Sequence, residues 1–311
     1  MFDDFTLETI PVGDVRLRVR HGGRGPALLL LHGHPRTHMT WHHVADLLSD
    51  SFTVVCPDLR GYGLSSKPAE TPGHGAYSKR AMAGDGVELM RLLGHDRFAV
   101  AGHDRGAYVA QRLALDHPAA VTRLVVLDGV PIGEALARCD ARFASSWWHW
   151  FFLGQTDRPA EPIISADPLA WYQISDTHMG AAAYADLVAV LTNPETVHAM
   201  CEDYRAGLTV DRRADDADQA AGRKITCPVL FCYATGSSAI GGGNTTGEMV
   251  ALYGDPGAIW RRWADDVRVS TIDSGHHMAE EAPEQLAATL REFLLTATAG
   301  APTARASAPG V

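Results

Sequence analysis

The chain has 311 residues, with 27 Lys+Arg against 37 Asp+Glu and a formal net charge of −10. Apolar residues make up 46% and charged residues 21%, a globular composition that excludes global disorder. The acidic balance argues against a nucleic-acid partner and against an anionic membrane, since either calls for a basic patch. An anionic substrate would be repelled by the overall field and would need a local cation.

The length allows two modest domains or one large domain with an insertion. The N-terminus carries Asp3 and Asp4, with no basic region and no apolar stretch, so no signal peptide is expected. The most apolar short run, Pro26 to Leu31, is too short to span a bilayer. A cytoplasmic protein is the expectation. The five cysteines, Cys56, Cys139, Cys201, Cys227 and Cys232, are scattered and form no CxxC pair, which points to neither a disulfide framework nor a zinc ribbon.

In chain order, Phe5 to Ile10 and Asp14 to Arg20 predict two strands joined by a turn at Gly13. Four runs apolar on both faces follow: Ala27–Leu31, Phe52–Cys56, Phe98–Gly102 and Leu124–Leu127. Such runs suit interior strands of a parallel sheet covered by helices. Helical stretches lie between them at about Trp41–Leu48, Lys79–Leu93 and Gly106–His117, and the alternation predicts an α/β doubly wound sheet. After Pro131 the rhythm breaks into a helical, aromatic-rich segment. Strands resume at Val229–Tyr233 and near Val267–Ile272, and a last helix spans Pro283 to Leu295. The expected division is therefore a core of 1–130 and 223–295, an inserted helical cap of 131–222 and a disordered tail of 296–311. Gly236 to Gly247 reads as a flexible loop.

Gly102-His103-Asp104-Arg105-Gly106 sits between a strand and a helix. It has the G-x-nucleophile-x-G spacing of the α/β-hydrolase elbow, with Asp in place of Ser. A strand–helix turn with an N-capping Asp is the plainer reading of the same five residues. Two further elements favour the elbow. His32-Gly33-His34-Pro35 follows the strand where these folds supply an oxyanion-hole amide, and Ser274-Gly275-His276 follows the last strand, where the triad histidine belongs. No carboxylate directly follows Val229–Tyr233, so the acid is Asp128 by elimination. The backbone N–H groups of His34 and Arg105 form the expected oxyanion hole. An ionised aspartate attacks saturated carbon and displaces a leaving group, which leaves an ester for a histidine-activated water to hydrolyse. That chemistry is dehalogenation or epoxide opening.

From Phe5 to Leu295 the sequence resembles the fluoroacetate (haloacetate) dehalogenases of the α/β-hydrolase superfamily. The resemblance is carried by His32-Gly33-His34-Pro35, Asp58 to Gly63, Gly102 to Gly106, Trp148-His149-Trp150, Cys201 to Arg205 and Ser274-Gly275-His276. It implies Asp104 as nucleophile, His276 as base and Asp128 as its partner. It implies a halide held by His149, Trp150 and Tyr204, no cofactor, no metal, and a homodimer. It also implies two arginines on the elbow helix clamping the substrate carboxylate. The first matches Arg105; the second position holds Tyr108. The expected replacement is Arg36 or a protonated His34, with Tyr108 donating to the same carboxylate. The implied substrate is a small halogenated carboxylate, fluoroacetate or chloroacetate.

Two alternatives stay open. An epoxide hydrolase needs two cap tyrosines, and Tyr172, Tyr184 and Tyr204 lie in the insertion. A non-catalytic ligand-binding protein on the same fold is the other. A haloalkane dehalogenase fits less well, because Arg105 stands where that family has Trp. The histidines His32, His34, His38, His42 and His43 lack partners in metal-ligand spacing and read as loop and surface residues.

Overall fold

The computed structural model describes residues 2, 4–236 and 248–296. The expected glycine-rich loop falls outside the described residues over 237–247, and the expected tail does so over 297–311.

Eight strands form one sheet in the order β1-β2-β4-β3-β5-β6-β7-β8. They are β1 (Thr6–Val12), β2 (Val15–Gly23), β3 (Ala27–Leu31), β4 (Thr53–Pro57), β5 (Phe98–His103), β6 (Val121–Leu127), β7 (Val229–Ala234) and β8 (Val267–Ile272). The strands β3 to β8 run parallel, while β2 pairs antiparallel with both β1 and β4. This is the expected α/β-hydrolase fold. The continuous apolar runs become interior strands: every residue of β3 and β5 is buried, because helices cover both faces of the sheet.

The helix Lys79–Leu92 starts at Ser78, whose Oγ accepts from the Ala81 N–H at 3.1 Å. The helix Arg105–Asp116 follows β5 directly and is buried from Arg105 through Leu115. The first helical stretch differs slightly from expectation. A 3₁₀ turn, His38–Trp41, precedes the α-helix His42–Leu48, and the Thr37 side chain caps it by accepting from the Met39 N–H.

All described secondary structure from Ile132 to Ala220 is helical and lies between β6 and β7. Its longest element, Pro194–Ala206, has ten buried residues. The C-terminal ends of β3, β5 and β6 and the segment after β8 thus lie along one edge of the sheet, the edge where open α/β sheets place ligands. No helix among the described residues is long and apolar enough to cross a membrane.

Candidate active site

Asp104 follows β5 with φ 52° and ψ −119°, a backbone region that L-residues rarely adopt. Two glycines permit this turn. A Cβ at Gly102 would stand 2.1 Å from the Gly106 carbonyl oxygen, and a Cβ at Gly106 would stand 2.4 Å from the carbonyl oxygens of Leu31 and His32. The Asp104 side chain makes no capping hydrogen bond to the helix it precedes. The His34 N–H donates to Asp104 Oδ1 at 2.7 Å. Burial alone would push this carboxyl's pKa up. The charges of His276, His103 and Arg105 and the His34 amide outweigh burial and lower it, so Asp104 is ionised at neutral pH.

His276 lies with Nδ1 2.6 Å from Asp128 Oδ2 and Nε2 3.8 Å from Asp104 Oδ2. Asp128 follows β6, and its Oδ1 accepts from the Ala234 N–H at 3.1 Å, which fixes the carboxylate against the end of β7. Burial disfavours the imidazolium. The hydrogen bond and charge of Asp128, together with the charge of Asp104, exceed that cost and raise the His276 pKa.

A cavity of about 330 Å³ opens over Asp104. Asp104, His34, Arg36 and His276 border it from the sheet side, and His149, Trp150 and Tyr204 from the insertion. The structure therefore brings seven of the singled-out side chains to one space. Burial lowers the pKa of His149 to about 4 and raises that of Tyr204 well above the usual phenol range, so the first is a neutral imidazole and the second a phenol. Among the described residues, neither side chain hydrogen-bonds to protein, nor does the Trp150 indole. Edge-on ring contacts hold Tyr204 against His149 at 5.9 Å and against Trp150 at 6.5 Å.

The cationic side chains fall differently from expectation. Arg105 does not border the cavity. Its Nε donates to Asp203 Oδ2 at 3.1 Å, and its Nη2 donates to Asp203 Oδ1 at 3.0 Å and to the Asp203 carbonyl at 2.8 Å. Its guanidinium carbon lies 4.2 Å from the Tyr204 ring centroid, behind the cavity wall. Tyr108 does not border the cavity either. Its ring packs edge-on against Trp150 at 5.9 Å, and it faces a small buried space with Lys79, Gln111, Arg112, Asp211 and Asp215. His34 is not a cation at neutral pH, since burial pushes its pKa down to about 3. Arg36 does border the cavity. Its Nε and Nη2 donate to Glu280 at 2.8 and 3.1 Å, which leaves Nη1 unspent among the described residues.

Sequence reasoning missed the anions that hold these cations. Asp203 binds Arg105, accepts from the Tyr62 hydroxyl at 2.6 Å and pairs with Lys79. It stands beside Tyr204 in the Cys201–Arg205 motif, so its place in the sequence was the available signal. Glu280 carried no signal, being far from Arg36 in sequence. The histidine-rich segment is also more buried than expected. His32 Nε2 accepts from the Leu59 N–H at 3.0 Å, and His38 Nδ1 lies 2.7 Å from Asp58 Oδ1.

Residues 26–237 match the family model described as alpha/beta hydrolase fold. The chain is 40% identical to a fluoroacetate dehalogenase of Burkholderia sp, over 96% of this chain and 97% of that protein. It is 31% identical to a soluble epoxide hydrolase of Corynebacterium sp., over 94% of this chain and 98% of that one. A solved structure of "a putative alpha/beta hydrolase from Nostoc sp PCC 7120" superimposes with a TM-score of 0.88 at 40% identity, covering 96% of this chain and all of the other. With the elbow, the sheet order and these relatives together, the chain belongs to the α/β-hydrolase superfamily and to its dehalogenase family.

Proposed function

We propose that the protein is a cofactor-independent hydrolase that cleaves the carbon–halogen bond of short haloacids, with fluoroacetate and chloroacetate as the reference substrates. One observation carries this reading: an ionised aspartate shares one cavity with His149, Trp150 and Tyr204, whose N–H and O–H groups hydrogen-bond to no described residue. Fluoride is strongly hydrated and leaves carbon poorly, so a site that excludes water must replace that water with aimed donors.

In the first step an Asp104 carboxylate oxygen attacks the halogen-bearing carbon. A carbon–oxygen bond forms, the carbon–halogen bond breaks, and the halide leaves with the bonding pair toward the three donors. The product is an aspartyl ester. In the second step His276 takes a proton from water, whose oxygen attacks the ester carbonyl, and Asp128 stabilises the imidazolium. The oxygen that receives the His34 N–H in the resting site becomes the oxyanion, with the Arg105 N–H as the proposed second donor. Collapse breaks the bond between the Asp104 carbonyl carbon and the substrate oxygen, which takes the proton back from His276. The hydroxy acid departs, and Asp104 returns to its carboxylate by losing its proton to solvent. Arg36 Nη1 receives the substrate carboxylate, while Arg105 adds positive potential from behind the wall, moderated by Asp203.

Epoxide hydrolysis is the second reading. Tyr172 and Tyr204 both border the cavity, and burial keeps both protonated, as ring opening requires. Incubating the protein with fluoroacetate, chloroacetate and styrene oxide separates the two. Halide from either acid supports dehalogenation; diol with no halide establishes the epoxide reading instead.

A further inference from the structure

The cavity is much larger than a two-carbon haloacid needs. Such an acid fills roughly the space of two or three waters, at about 30 Å³ each, against a cavity of about 330 Å³. The excess is chemically distinct from the inner end. The short helix Trp148–Leu153 gives His149 and Trp150 to the donor set, while Trp148, one residue earlier, also borders the cavity and is half exposed. Trp148 meets Trp171 edge-on at 5.7 Å, and Phe152 packs against both, at 5.8 and 5.0 Å. Tyr172, next to Trp171, continues this wall inward to His34 at 5.4 Å.

Trp148, half exposed and in contact with Trp171 and Phe152, makes a contiguous aromatic patch, and contiguous exposed apolar area is the kind that marks a binding site. Here the cluster opens into the cavity that holds the nucleophile. The carboxylate end points the same way: Arg105 is committed to Asp203 and Tyr108 is turned away, so the polar end grips an acid with fewer charge-assisted bonds than a two-arginine clamp. Apolar contact is a further source of affinity beside Arg36 and the donor set.

We propose that Trp148, Trp171 and Tyr172 form a subsite for a flat apolar substituent, so that the preferred substrate is a haloacid whose halogen-bearing carbon carries an aryl or similar group. The proposal rests on the dehalogenase reading for the reaction, but the subsite itself is a matter of binding. Ring-on-ring contact and the removal of apolar surface from water provide the gain.

Calorimetric titration with acetate and phenylacetate tests the subsite, since neither ligand has a leaving group. Phenylacetate is expected to bind at least about tenfold more tightly than acetate. Trp148→Ala and Trp171→Ala are expected to erode that advantage, leaving acetate affinity and the far-ultraviolet circular dichroism unchanged. Equal affinities in the native chain, or an advantage that survives the double substitution, overturns the proposal. So does a Trp148→Ala variant that loses self-association in gel filtration while keeping its phenylacetate affinity. Chloride release from chloroacetate and 2-chloro-2-phenylacetate is followed in parallel. No chloride from either acid, with the binding advantage intact, removes the dehalogenase reading and leaves the subsite standing.

Discussion

His276 stands between two carboxylates at unequal reach, with Nδ1 2.6 Å from Asp128 Oδ2 and Nε2 3.8 Å from Asp104 Oδ2. The first contact is a charge-assisted hydrogen bond; the second is too long for one and acts through charge alone. Both raise the imidazole's proton affinity, but only the Asp104 charge disappears when the ester forms. In the proposed reaction, esterification therefore lowers the His276 pKa just when a neutral base is needed. Asp104→Asn mimics this neutralisation, and the His276 ring protons followed by NMR should titrate at lower pH in that variant than in the native chain. An unchanged titration would show that Asp104 contributes nothing to the shift. In the native protein, turnover should fall as pH falls through the His276 pKa of the ester state, which lies below the raised pKa of the resting site.

Removing the base should separate the two chemical steps. His276→Ala keeps an ionised Asp104 and the donor set, so halide should be released once per chain and then stop. Mass spectrometry after incubation with chloroacetate should find the ester on the peptide that contains Asp104. Continued turnover would mean that His276 does not activate the water.

The donor set makes a prediction about leaving groups. Trp150→Phe removes one N–H while keeping an aromatic ring against Tyr108 and Tyr204. Losing one aimed donor costs roughly 10²–10³ in rate where charge develops strongly. Fluoride release should suffer a loss of that order, and bromide release a much smaller one, because bromide needs less replacement of its hydration. Equal losses for both halides would make Trp150 a packing residue only.

Arg36 and Glu280 form a buried pair, and Glu280 also accepts from the Thr40 hydroxyl at 2.8 Å. Arg36→Met leaves Glu280 buried without its cation, which should destabilise the fold by about 3–5 kcal/mol in denaturant titration. The double variant Arg36→Met/Glu280→Gln should recover most of that loss. It should still raise KM for chloroacetate, roughly tenfold or more for one charge-assisted bond, while leaving chloroacetamide unaffected. A KM that does not move would take Arg36 out of substrate binding.

Asp215 supplies a pH test away from the chemistry. Burial pushes its pKa from 3.8 up to about 7, against the opposing bond from the Gly133 N–H. Between those two values the folded chain holds a proton that the unfolded chain has lost, so stability falls as pH rises through that window. Asp215→Asn has no proton to lose. Its melting temperature relative to the native chain should therefore rise between pH 5 and pH 8; a constant difference would place the Asp215 pKa in the ordinary range.

The sheet was legible because interior parallel strands must be apolar on both faces, and Ala27–Leu31 and Phe98–Gly102 have no other use for such runs. The Asp104–Asp128–His276 set was legible because each residue follows a strand that could be read. The cations were not. Whether Arg105 or Arg36 meets a ligand depends on which carboxylate claims it first, and Asp203 and Glu280 are 98 and 244 positions away in the chain. Side-chain commitments of that kind belong to packing, and local pattern carries no trace of them. Tyr108 illustrates the same limit: its helix position was clear, but that its ring packs against Trp150 and away from the cavity was not.

The origin of the cavity's two walls has an evolutionary consequence. Asp104, Asp128, His276 and the His34 amide hang from strand ends, whereas His149, Trp150, Tyr204 and the outer aromatic rings all come from the single stretch between β6 and β7. On the proposed mechanism, ester formation and hydrolysis thus belong to the sheet, and the choice of leaving group and substituent to the insertion. Change in that one stretch would then redirect the catalyst to a new compound and leave the hydrolytic apparatus intact.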